Sequence, residues 1–233
     1  MAGCVRSIAA KASSTEVHGE VLVRSDIPIS RGLKSSSAVS NAVALATARA
    51  LGKEMQDMVL ILTGIEESVK AGVTVTGAFD DASACFLGGV VLTNNRSFTV
   101  LSQGQLDPDL EILIHVPDRK ITKASVKSLD FSPIRDHVDR AFDLAMRGEY
   151  LKAMELNSKA YAKILDVSEE VAETARRKGA LGAGISGTGP ATTIVCSRAD
   201  VGDLTKVLDK FDGKVLRARI NNTPAREVVP RLF

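Results

Sequence analysis

Residues 28 to 41 read PISRGLKSSSAVSN. A proline and a glycine turn lead to three consecutive serines, Ser35, Ser36 and Ser37. The run AVSNAVALATARALG that follows has the composition of a helix, with Gly52 as its stop. The serines therefore stand at a helix N-terminus. The first backbone N–H groups there lack intrahelical partners, and the helix dipole presents partial positive charge. Such a place binds phosphate. Arg31 and Lys34 add cationic side chains. The plainer alternative is a serine N-cap on an ordinary helix, but one serine suffices for that.

A second stretch, GALGAGISGTGPA over 179–191, contains a formal G-x-G-x-x-G. The dinucleotide fingerprint needs a strand before it and a helix after it. Here the helical ETARRKG precedes, and the β-favouring TTIVC follows. What remains is a loop whose backbone N–H groups can approach a ligand closely. The third stretch, TGAFDDASACFLGG, sets Asp80 and Asp81 among small and apolar residues. Carboxylates in such surroundings bind a cation, act as a base, or cap the helix that follows. Upstream, Glu66 and Glu67 point about 100° apart on a helix, so at most one faces a shared site. A glutamate and a hydroxyl, completed by water and phosphate oxygens, make a magnesium shell.

Other chemistries lack their residues. There is no GxxxxGK[ST], no HExxH and no GxSxG. His18, His115 and His137 are isolated, and no histidine neighbours Ser35–Ser37 in sequence to activate a nucleophile. The net charge of +2, with scattered basic residues, gives no nucleic-acid footprint. Cys4, Cys85 and Cys196 form no CxxC and no zinc spacing, so they are expected as reduced thiols in the cytoplasm. No apolar run reaches the roughly 18 residues of a membrane span.

These stretches need a scaffold, and 233 residues suffice for two small domains. MAGCVRSIAAKASS reads as a helix fragment with Val5, Ile8 and Ala9 on one face. Alternation over 15–27 suggests one or two strands, with Val21 to Val23 a strand end. A helix is expected over 54–70, weakened at Gly64. Strand 89–93 then pairs with SFTVLS through a turn at Asn94 and Asn95. The QGQLDPD texture marks a boundary, giving domains 1–105 and 106–233. Beyond it, LEILIHVP, ATTIVC and VLRARI read as strands. Helices are expected over 134–147, 150–165 and 168–178, with Ser168 as a cap, and over ADVGDLTKVLDKF. The order is that of an α+β domain.

Taken together, the three stretches resemble the GHMP kinase superfamily. PISRGLKSSSA, Pro28 to Ala38, is similar to its P-x-x-x-G-L-x-S-S-A motif with one extra serine. GAGISGTGP, Gly182 to Pro190, is similar to its glycine-rich third motif. FDDASACFLGG resembles its aspartate-bearing segment. Within the superfamily the resemblance is closest to the archaeal-type shikimate kinases. It implies an α+β, two-domain fold: a ribosomal protein S5 domain 2-like N-terminal domain and a ferredoxin-like C-terminal domain. The family pattern starts earlier, with a first motif and further strands, so the N-terminal domain is expected to be incomplete here.

The implied reaction is transfer of the ATP γ-phosphoryl group to the 3-hydroxyl of shikimate, with Mg2+. Partners are then ATP and the small molecule, without nucleic acid or membrane. Alternatives are a homoserine- or mevalonate-type kinase, or a non-catalytic nucleotide-binding remnant. By the resemblance, Pro28, Gly32, Leu33, Lys34, Ser35, Ser36, Ser37 and Ala38 wrap the phosphates. Gly184, Ser186, Gly187, Thr188 and Gly189 close over phosphates or substrate. Ser36 and Glu67 hold the metal, with Ser35 and Glu66 as substitutes. Asp80 is the base or orienter, and Asp81 its rival. Arg119, Lys120 and Lys123 are candidates to clamp the substrate carboxylate.

Overall fold

The computed structural model describes residues 1–13, 17–72, 74, 77–119, 121, 126 and 128–228. These fall into two compact units. The first comprises 1–27, 34–103 and 222–233; the second comprises 28–33 and 104–221.

In the first unit, helices α1 (Ala2–Lys11), α2 (Ser35–Ala50), α3 (Asp57–Lys70) and α4 (Phe79–Leu87) surround one core. Ile8, Ala44, Leu60, Ile61, Phe79 and Phe86 lie at its centre, fully or almost fully removed from water. Gly64 does not break α3. It is where α2 crosses, since a Cβ there would stand 3.3 Å from Ser40 Cβ. Strands β1 (Val90–Asn94) and β2 (Thr99–Gly104) form the expected hairpin. Its turn is set by Asn94 Oδ1, which accepts from the N–H groups of Arg96 and Ser97. After residue 222 the chain rejoins this unit. There Arg226 donates to Asp57 Oδ1 at 2.6 Å, and its carbonyl accepts from Arg49.

One expectation fails in this unit. Residues 17–27 form no strand, and Leu22 is 73% exposed. Alternating residues become a strand only if a neighbour takes their backbone hydrogen bonds. Among the described residues, β1 and β2 pair only with each other.

The second unit holds an antiparallel sheet of β3 (Glu111–Val116), β4 (Gly182–Ile185), β5 (Thr192–Cys196) and β6 (Lys214–Arg219) in the order β4-β5-β3-β6. Numbered within the unit this is 2-3-1-4, the ferredoxin-like order. Helices α5 (Arg135–Met146), α6 (Tyr150–Leu165) and α7 (Glu170–Arg177) fill the first crossover, and α8 (Val201–Leu208) fills the second. Ser168 Oγ accepts from Glu170 N–H at the start of α7, as its position suggested. Leu113, Ile194 and Cys196 meet Ala172, Ala175, Leu204 and Leu208 in the core. The glycine-rich stretch is therefore half strand: β4 and β5 make a hairpin with 186–190 at its tip.

His115 on β3 is buried, its ring edge-on to Phe211, and its Nε2 has no hydrogen-bond partner. Burial pushes its pKa below 6.5, against the backbone groups of Asp212 and Phe211, which act to raise it. The unfolded chain then binds the proton more readily, so stability rises with pH. The contribution is complete above about 6.5 and is lost as pH falls through the lower folded value. Melting temperature should therefore drop between pH 7.5 and 5.5, and His115→Phe should flatten that slope. Equal slopes for wild type and variant would refute the assignment.

Candidate functional site

In the first unit, α2 begins without a side-chain cap. Its N-cap is Lys34, in the left-handed region at φ 61°, and the three serines occupy the first turn. The first intrahelical bond runs from Ala38 N–H to Lys34 O at 3.1 Å. The N–H groups of Ser35, Ser36 and Ser37 precede that bond, so the helix start keeps its capacity for an anion. Ser37 is buried, whereas Ser35, Ser36 and Ala38 are half-buried.

Helix α4 begins in the same way. Its N-cap is Ala78 at φ 47°, again without a side-chain cap. Left-handed non-glycine residues cost about 1–3 kcal/mol and persist where the surroundings hold them. Two ties hold these helix starts together: Asn41 Nδ2 donates to Ala82 O at 2.8 Å, and Lys34 Nζ lies 2.8 Å from Asp81. The second places a carboxylate and an ammonium group at the open end of α2.

The adjacent aspartates are thereby separated. Asp80 is exposed and turned to the β1–β2 hairpin. Its Oδ1 accepts from Asn95 Nδ2 at 2.9 Å, and its N–H donates to Asn95 Oδ1 at 3.1 Å. Asp81 is half-buried and turned to Lys34. The sequence marks Asn95 only as a turn residue, and nothing in it links Asn95 to Asp80.

The glutamates separate likewise. Glu66 is exposed, 4.0 Å from Lys11. Glu67 turns inward, its Oε1 accepting from Ser7 Oγ at 2.9 Å and from Lys70 Nζ at 2.6 Å. The Lys70 hydrogen bond, with smaller help from Ser7, holds its carboxyl below the usual range, so it is ionised at neutral pH. Its Oε2 lies over Gly3, where a Cβ would come within 2.1 Å. The short connection between α2 and α3 makes them antiparallel neighbours. Ser36 is one turn before Ser40, and Glu67 three residues after Gly64, so both lie beyond the same side of that crossing. An ionised carboxylate and a hydroxyl are both hard oxygen donors, the donor type that Mg2+ takes. Among the described residues there is no group of three or more His, Cys, Asp or Glu, so water and phosphate oxygens would complete the shell.

In the second unit, residues 28–33 pack on the glycine hairpin. Gly32 has φ +80°, and a Cβ there would lie 2.2 Å from Ser186 O and 2.9 Å from Gly189 N. Ser186 Oγ donates to Gly32 O at 3.0 Å, and Ala191 N–H to Arg31 O at 3.2 Å. Pro28 and Leu33 are half-buried; Gly187 and Thr188 are exposed at the tip. Gly184 and Gly189 are buried, and Gly189 leads into a cis peptide bond with Pro190.

The sequence suggests that Arg31 adds charge toward an anion. Instead its guanidinium donates to the carbonyls of Asp118 and Arg119. Arg119 is directed to Asp166, donating to its carbonyl at 2.8 Å. Lys120 and Lys123 lie outside the described residues. Among the described residues, no helix is long and apolar enough to cross a membrane.

Residues 1–89 match the family model described as GHMP kinases N terminal domain, and 139–212 match the one described as GHMP kinases C terminal. A protein named shikimate kinase from Methanococcoides burtonii is 40% identical over 209 residues, 89% of this chain and 72% of its own length. Another of that name from Methanothrix thermoacetophila is 39% identical over 230 residues, 99% of this chain and 79% of its own. Among solved structures, the mevalonate kinase of Methanococcus jannaschii superposes with a TM-score of 0.71 at 18% identity, over 93% of this chain and 73% of its own. The homoserine kinase of Cytophaga hutchinsonii gives 0.69 at 17% identity, over 95% and 76%.

Gly32→Ala should unfold the approach to the hairpin, because both the left-handed backbone and the Ser186 carbonyl oppose a methyl group. We expect a stability loss of about 1–3 kcal/mol in urea denaturation. Wild-type stability in Gly32→Ala would mean the close approach is absent in solution.

Proposed function

Since this chain belongs to the GHMP kinase family, we propose that it is a shikimate kinase, moving the γ-phosphoryl group of ATP to the 3-hydroxyl of shikimate. The observation that carries the substrate is the 40% identity to the shikimate kinase of Methanococcoides burtonii over most of this chain. The mevalonate and homoserine kinases, at 17–18% identity, speak to the fold alone. The step belongs to aromatic amino acid biosynthesis. Three free thiols suit a reducing compartment, the cytoplasm. The proposed domains, 1–105 and 106–233, are supported by the change of compact unit between Gln103 and Gly104.

Catalysis of this kind is positioning and charge stabilisation. The N–H groups at Ser35 to Ser37 bind phosphate oxygens, and Pro28, Gly32, Leu33 and Ala38 shape the backbone around them. Lys34 supplies positive charge at the same helix start. Gly184, Gly187 and Gly189 let backbone N–H groups approach the nucleotide, while Ser186 and Thr188 offer hydroxyls. Ser36 and Glu67 would hold Mg2+, which when bound neutralises charge on the phosphate oxygens.

We assign the base to Asp81 ahead of Asp80. Asp81 faces Lys34 at the open end of α2, whereas the Asp80 carboxylate is engaged with Asn95. In the transfer, the substrate hydroxyl oxygen bonds to the γ-phosphorus as the bond to the β–γ bridging oxygen breaks. ADP leaves, and the hydroxyl proton passes to an Asp81 carboxylate oxygen. Lys34 holds that carboxylate toward the phosphate-binding turn beforehand. The carboxylate of shikimate needs a cation; Arg119 is the described candidate, though it would have to leave Asp166.

An ADP-release assay with shikimate, homoserine and mevalonate tests the substrate. Turnover should appear with shikimate alone, and turnover only with another alcohol would overturn the assignment. Asp81→Asn should lower kcat by about a hundredfold or more, with Asp80→Asn close to wild type. The reverse pattern would exchange the two roles. Lys34→Ala should weaken ATP binding and lower kcat together.

A further inference from the structure

Strand β4 is an edge of the four-stranded sheet. An edge strand leaves backbone groups without a strand partner. Here two of them are taken by side chains. Arg176 Nη1, from α7, donates to Ala183 O at 2.7 Å. Ser158 Oγ, from α6, accepts from Ile185 N–H at 2.9 Å. Having accepted that hydrogen, the Ser158 hydroxyl uses its own proton on Glu169. The other oxygen of the Glu169 carboxylate lies 3.2 Å from Arg176 Nη2. A serine, a glutamate and an arginine thus close a ring of hydrogen bonds across two β4 positions. The Ser158 residue is 3% exposed, and the Arg176 and Glu169 side chains are each 13% exposed. At such burial, a broken member leaves polar groups unsatisfied.

The backbone also fits this helix closely. A Cβ on Gly184 would come within 2.9 Å of Ser158 Cβ, and one on Gly182 within 3.1 Å of Leu151 Cβ. Beyond Ile185 the tip is Ser186 to Gly189, with few side chains to anchor it. Its internal bonds are Ser186 N–H to Ala191 O and Gly189 N–H to Ser186 O, both 2.9 Å. On one side the tip is tied to residues 31 and 32, through Ser186 Oγ to Gly32 O and Ala191 N–H to Arg31 O; on the other, the direction of its N–H groups is inherited from β4, whose last held group is Ile185 N–H.

We propose that Ser158, Glu169 and Arg176 are positioning residues for nucleotide binding, holding β4 at Ala183 and Ile185 so that the glycine tip keeps its N–H groups aimed at phosphate. This rests on the kinase reading above. None of the three touches the nucleotide; each acts through the β4 backbone. Glu155, 3.5 Å from Arg176 Nε, and Lys159, 2.7 Å from Glu155, extend the network toward solvent.

The test uses the full chain and the variants Ser158→Ala, Glu169→Gln and Arg176→Lys. Three quantities are read: amide hydrogen exchange over 183–189, affinity for Mg·ADP by calorimetry, and KM for ATP beside KM for shikimate. In Ser158→Ala we expect exchange at Ile185 to Gly189 to quicken, and ADP affinity to weaken, by about tenfold, the scale of one lost buried hydrogen bond. KM for ATP should rise in step while KM for shikimate stays put. Glu169→Gln keeps an acceptor for Ser158 and should fall between wild type and Ser158→Ala. If Ser158→Ala does not fold, the other two variants carry the same measurements. A lower melting temperature with unchanged ADP affinity and unchanged KM for ATP would overturn the proposal, leaving edge protection alone. Failure of the kinase reading looks different: wild type would release no ADP with shikimate. Weakened ADP binding in the variants would still support the positioning role. Wild type that binds no ADP would refute both.

Discussion

At Gly32 the backbone comes so near the glycine hairpin that the first atom of any side chain would stand 2.2 Å from the Ser186 carbonyl oxygen. Hydrogen bonds on either side, Ser186 to Gly32 O and Ala191 to Arg31 O, fix residues 31 and 32 to the same hairpin. Two residues later, Lys34 takes a left-handed conformation and α2 begins. Ser30, Gly32 and Lys34 all have positive φ. Such strain persists only where surrounding contacts over-determine it, and it gathers at ligand-binding positions.

Much of this was legible in the sequence because it depends on local periodicity and on turn chemistry. The small apolar run after Ser37 reads as a helix, Asn94 and Asn95 between two β-favouring runs read as a tight turn, and the structure has both. The strand and helix order of the second unit was readable for the same reason. Residues 17–27 were misleading because alternation records the potential to pair, whereas a strand exists only with a neighbour. The close approach at Gly32 was readable as a glycine turn, but not its partner at Ser186, which lies 154 positions away.

Side-chain direction was harder to read. Adjacent residues on a helix point about 100° apart, so at most one of Glu66 and Glu67 could face a shared site, and the same geometry separates Asp80 from Asp81. Which one depends on the first backbone angle of each helix and on what packs there. For α4 that angle is set at Ala78, and a distant asparagine, Asn95, engages Asp80. For α3, Ser7 and Lys70 engage Glu67, and Gly3 makes room for its second oxygen. Arg31 shows the same limit: a cation beside the serine turn is engaged by two backbone carbonyls.

The two helix starts give a physical reason for the charged pair beside them. A side-chain cap on α2 or α4 would satisfy the same N–H groups that an anion would use, and would compete with it. Leaving the α2 end uncapped costs stability and exposes the positive end of its dipole, whereas at α4 a distant side chain, Asn95, takes the Asp80 N–H. Asp81 in the first turn of α4 offsets the dipole of that helix electrostatically, and Lys34 balances Asp81 in turn. The pair keeps the local charge near neutral without occupying the N–H groups of Ser35 to Ser37. Lys34 and Asp81 are therefore best regarded as one charge-balanced unit that joins the starts of α2 and α4.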